Sequence, residues 1–129
     1  MKRIVIALLS MFLLGGLGVQ TASAADTRIT TMVNIIMHLQ HYPSDQEIQT
    51  LKEITTDAQA TAGERTLAGA LMRMRHTVGA DDAAKLQDLK ADPDARADER
   101  KLAGILLGIA HHPSDEDKKQ LQMILKNSD

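Results

Sequence analysis

Three stretches carry a single apolar stripe on a polar background: Ile48, Leu51 and Ile54; Ala83, Leu86 and Leu89; and Lys118, Leu121 and Ile124, where a lysine takes the first position. Steps of three residues mark one face of an amphipathic helix. Between the stripes lie stretches that are apolar on nearly all sides. The clearest runs from Leu102 to Ala110 and reads as a helix buried between neighbours. The pattern predicts six helices, over 28–40, 45–55, 59–76, 81–91, 94–111 and 115–126, with no strand pattern. The connections are short enough for antiparallel neighbours.

The helices come in repeated pairs. Glu64, Arg65, Leu67, Ala68, Gly69, Leu71 and His76 recur 35 positions later as Glu99, Arg100, Leu102, Ala103, Gly104, Leu106 and His111. The same offset backward from His76 gives His41, and Leu86 maps onto Leu51 and Leu121. The chain therefore divides into repeats of roughly 25–56, 57–91 and 92–129, the first degenerate in its opening half. Stacked hairpins of this kind bury a continuous core between repeats. The expected fold is all-α, a short right-handed α-solenoid of three helical hairpins, with Lys118 turned to water at its terminal repeat. The repeat length resembles that of tetratricopeptide repeats, and the small residue inside the first helix is similar to their pattern. The aromatic positions of that family have no counterparts here.

The ends set the context. Lys2 and Arg3, an apolar run from Ile4 to Leu17 and the small residues Ala22-Ser23-Ala24 describe a secretory signal peptide over 1–24. The run is shorter than the roughly 20 residues that span a bilayer. The expected product is a single domain over 25–129, soluble in the periplasm, and the absence of cysteine rules out disulfides. Loss of Lys2 and Arg3 with the leader leaves 13 basic against 17 acidic residues. Such an acidic chain lacks the basic surface that nucleic-acid binding needs. Phe12 also leaves with the leader, so Tyr42 is the one aromatic residue remaining, too few for stacking platforms or aromatic cages.

Candidate chemistry gathers where the helices turn. Ser44 with Glu47 is a capping box and Ser114 with Asp117 a shorter version of it. Asp92-Pro93 suits a helix N-cap followed by proline, with Asp57 its counterpart. His41, Ser44 and Asp45 contain the residue types of a hydrolase triad. A serine already engaged as a cap is poorly placed for that role, and Gly79 stands at its position in the second repeat. Gly69 and Gly104, beside Ala68 and Ala103, suggest close helix approach. Methionines such as Met72 fall at repeat positions shared with Met37 and Leu107 and read as core.

Metal binding is the sharper candidate. His38 and His41 lie three apart on one helix, and His111 and His112 are adjacent at the end of another. With neighbouring acids they offer nitrogen and oxygen ligands suited to Zn, Ni or Cu. The equivalent histidines His41, His76 and His111 are expected to form a ladder with steps of about 10 Å or more, too wide for one ion. Glu64-Arg65 and Glu99-Arg100 are the most exposed-looking repeated charges, either ties between repeats or parts of a binding surface. The leading expectation is a non-catalytic module that holds an unidentified periplasmic protein or peptide on its helical surface. The alternative is a periplasmic transition-metal-binding protein.

Overall fold

The computed structural model describes residues 23–128, so the expected leader lies outside the described residues apart from Ser23 and Ala24. Six helices follow one another: α1 (Ala24–Met37), α2 (Asp45–Thr56), α3 (Ala62–Arg73), α4 (Ala80–Ala91), α5 (Ala97–Gly108) and α6 (Asp115–Asn127). None among the described residues is long and apolar enough to cross a membrane. The starts of α2, α4 and α6 are spaced by the same 35 residues as the sequence matches, and so are those of α3 and α5.

Side-chain capping fixes the starts of α2, α3 and α6. Ser44 Oγ accepts from the Glu47 N–H at 3.3 Å while the Ser44 N–H donates to Glu47 Oε2 at 2.7 Å, and Ser114 with Asp117 repeats the exchange. Thr61 with Glu64 opens α3 in the same way. Asp92 is not the N-cap expected of it. It closes α4, and its Oδ1 accepts from the Asp94 N–H at 2.9 Å, as Asp57 Oδ1 accepts from Gln59 at 2.8 Å. The short acidic side chain mimics a backbone turn, which delays the next helix until Arg96.

The hairpins do not form an open stack. The helices α1, α3 and α5 pack against one another, and the outer helices bridge them: α2 lies on α1 and α3, α4 on α3 and α5, and α6 on α5 and α1. Contact of α1 with α5 and α6 closes the arrangement into a ring, where a solenoid would leave first and last hairpins apart. Burial explains the closure. α1 hides Ile29, Met32, Val33, Ile35 and Ile36, too much apolar surface for a terminal repeat, whose outer side must meet water. Lys118 accordingly does not mark a free end; it is half-buried beside the end of α1.

The amphipathic stripes point inward as the pattern requires, with Leu51, Leu86 and Leu121 each fully buried. Leu86→Ala should therefore cost about 2 to 5 kcal/mol. A loss below roughly 0.5 kcal/mol on chemical denaturation would show that the ring core does not depend on the outer helices.

The glycines divide differently from expectation. A Cβ on Gly104 would meet only the Lys90 side chain, at 3.6 Å, and one on Gly69 only the end of the Arg73 side chain. Neither marks a close backbone approach. At Gly63, by contrast, a Cβ would fall 2.5 Å from a Glu99 carboxylate oxygen. Gly104→Ala should stabilise the chain by about 0.5 to 1 kcal/mol through helix propensity. An unchanged or lowered denaturation midpoint would show that the position is tighter than its geometry indicates.

Candidate metal centre

Each hairpin turns through a histidine. α1, α3 and α5 stop at Met37, Arg73 and Gly108, earlier than the periodicity predicted, and His41, His76 and His111 follow three or four residues later. These three are the described non-glycine residues with positive φ, at 68°, 62° and 72°. Around each, the residue after the histidine donates its N–H to the carbonyl of the residue before it: Tyr42 to Gln40 at 2.8 Å, Thr77 to Arg75 at 2.6 Å and His112 to Ala110 at 2.9 Å. A three-residue turn with positive central φ is the rare, strained form of the γ-turn.

The turns also bond to each other in a circle. The His41 N–H donates to the His111 carbonyl at 2.6 Å, His76 to His41 at 2.7 Å and His111 to His76 at 2.8 Å. These bonds hold the three α-carbons about the axis of the ring and aim the side chains at one another. Nδ1 of His41 lies 3.1 Å from that of His76 and 3.2 Å from that of His111, and the last pair is 3.0 Å apart. The imidazoles stand edge to face, with interplanar angles of 72°, 80° and 68°. All three are exposed to solvent.

Three nitrogens in such a triangle cannot satisfy one another. Each neutral ring presents Nδ1 as either a donor or an acceptor in one in-plane direction, and an odd-membered set always leaves a mismatch. A cation that accepts three lone pairs removes it. With metal–nitrogen bonds of about 2.0 to 2.1 Å, an ion would sit roughly 1 Å above the nitrogen plane and subtend N–metal–N angles of about 100°. That lies between octahedral and tetrahedral values and leaves the outward positions of the ion open. Nδ1 coordination places the remaining proton of each ring on Nε2.

The expected ladder is thus replaced by convergence: equivalent positions separate along a solenoid, but meet at the axis of a closed ring. Of the histidines singled out in the sequence, His41 and His111 belong to this cluster and His38 and His112 stand outside it. His38 Nδ1 donates to the Asn34 carbonyl at 2.9 Å, and His112 Nδ1 to the Pro113 carbonyl at 3.2 Å. His76 completes the set. Its exact equivalence to the other two was the available signal; ring closure was the missing piece.

The repeated Glu-Arg pairs lie at the other ends of the inner helices, with their glutamates withdrawn from the surface. Glu64 is fully buried and Glu99 nearly so. Arg28 of α1 donates to Glu64 Oε2 at 3.1 Å and through Nε to Asp57 Oδ2 at 2.9 Å. Thr61 donates to Glu99 Oε1, and Arg96 donates to Asp26 at 2.8 Å. The Asp57 carboxyl is held below its ordinary range by the Gln59 N–H and then by Arg28, and the Arg28 guanidinium is pushed up chiefly by its bond to Asp57. These contacts tie the three hairpins together. Arg65 is exposed and Arg100 partly so.

No family model, curated protein or solved structure matches this chain.

Proposed function

We propose that this protein holds one divalent transition-metal ion, of the zinc or nickel class, on Nδ1 of His41, His76 and His111. The observation that carries the reading is the convergence of three Nδ1 atoms within 3.2 Å on strained turns. Strained backbone persists only where surrounding structure enforces it, and it gathers at functional sites. Together with the leader-like first 24 residues, the exposed position of the site favours carriage or buffering of the ion in the periplasm. An interaction module remains the reading suggested by repetition alone, but a closed ring offers less extended surface than a solenoid.

Calorimetric titration of the chain lacking residues 1–24 with Zn(II) tests the proposal. One ion per chain should bind, and chelator should remove it. Affinity should fall on acidification, because protons compete for the same three nitrogens. Absence of a one-to-one complex tighter than about 10 μM at neutral pH would end the reading.

A further inference from the structure

We propose that the bound ion takes a small carboxylate as its outer ligand, seated in the groove between the first and third hairpins with the Lys118 ammonium as second anchor. This inference rests on the metal reading above. Three neutral imidazoles leave the double charge of the ion uncompensated and its outward positions open. The groove that adjoins the cluster is lined by Met37, His38, Gln40, His112 and Lys118, with Leu39, Pro113 and the cluster's own His41 and His111. No carboxylate is among them.

The acids at the start of α6 are committed elsewhere or turned away. Asp117 accepts from the Ser114 hydroxyl at 2.7 Å, Glu116 lies 3.9 Å from Lys119, and Asp115 does not line the groove. His38 and His112 bring no negative charge. The groove lining therefore offers the loaded ion no negative charge, and an anion from solution can supply it.

Lys118 gives the second, independent observation. It occupies the first position of the apolar stripe, where the other two hairpins have Ile48 and Ala83. An ammonium at a half-buried position that the pattern reserves for an apolar side chain weakens the local packing rule without a structural return, and such departures gather at functional sites. The equivalent positions of His38 and His112 also differ, being Arg73 and Gly108, and Tyr42 and Thr77. The residues of this groove are thus chemically distinct from those at the equivalent positions of the other hairpins. A carboxylate offers one oxygen to the metal and a second to an ammonium that lines the same groove.

Cobalt(II)-loaded protein lacking residues 1–24 provides the test, with acetate as the probe at constant ionic strength and visible absorption as the readout. Acetate should change the cobalt spectrum saturably. Lys118→Met, which restores an apolar stripe, should weaken the acetate response at least fivefold while leaving cobalt affinity unchanged. A spectrum indifferent to acetate, an equal response to chloride, or an unaltered acetate affinity in Lys118→Met would each overturn the inference and leave the metal site standing. Failure of cobalt to bind at all would instead remove the metal reading and this inference with it.

Discussion

Replacing His76 by glycine is expected to weaken Zn(II) binding about 100-fold or more, since even outer partners of a metal site are worth 10- to 100-fold. The same change should leave the fold as stable as before, or more stable by up to about 1 kcal/mol. The two signs oppose each other for a physical reason. At φ of 62° the histidine backbone is strained and glycine is not. The ring is exposed, so its removal opens no cavity. The circular hydrogen bonds of this turn use backbone N–H and carbonyl groups that glycine retains. Titration calorimetry and urea denaturation of one variant read both effects. A clear loss of stability with unchanged zinc affinity would make the histidines structural and overturn the metal assignment. His38→Ala is the internal control: its Nδ1 bonds the Asn34 carbonyl at 2.9 Å, outside the cluster, and zinc affinity should change less than about threefold.

The all-helical class and the order of the helices were legible because the outer helices carry a three-step stripe, broken in α6 by Lys118, and Leu51, Leu86 and Leu121 are buried as that stripe requires. The Ser44 and Ser114 caps were legible because capping is chemistry between residues three apart. The ring was not. Closure depends on whether the apolar side of α1 meets α5 and α6, a contact between residues far apart in the chain that no local period encodes. Every error at the site follows from that one. In an open stack His41, His76 and His111 separate and Lys118 faces water; in a ring the histidines share an axis and Lys118 lines their groove. The charge of Glu64 misled in the same manner. Its burial follows from Arg28, on another hairpin, reaching its carboxylate, and adjacent Arg65 takes no part in that contact.

Arg28→Met is expected to cost about 3 to 5 kcal/mol, the usual penalty for leaving a buried charge without its partner. Glu64 is wholly shielded from solvent. Its Oε2 accepts from the Arg28 guanidinium at 3.1 Å and from the Thr61 N–H at 3.0 Å, while its Oε1 has no hydrogen-bond partner. Loss of Arg28 would leave the carboxylate one capping bond and a long contact to Arg96, 4.0 Å away. Arg96 cannot easily close that gap, because Asp26 at 2.8 Å and Asp98 at 2.7 Å hold it. The penalty belongs to the uncompensated charge and not to lost attraction between hairpins, so removing the charge as well should reverse most of it. Glu64→Gln keeps the capping geometry, since glutamine serves at that position of the box. The double variant Arg28→Met with Glu64→Gln should therefore recover more than half of the stability lost in Arg28→Met alone. Urea denaturation of the wild type, both single variants and the double variant closes the cycle. A single-variant cost below about 1 kcal/mol, as for an exposed ion pair, would mean that water reaches Glu64 once Arg28 is gone. A double variant no better than Arg28→Met would place the effect in packing of the arginine side chain against α3. In the expected outcome, Arg28 acts at the end of the inner helices opposite the histidines, where it pairs with a buried carboxylate and ties α1 to α3. At the far end of the same helices, the circle of backbone hydrogen bonds holds the three Nδ1 atoms 3.0 to 3.2 Å apart.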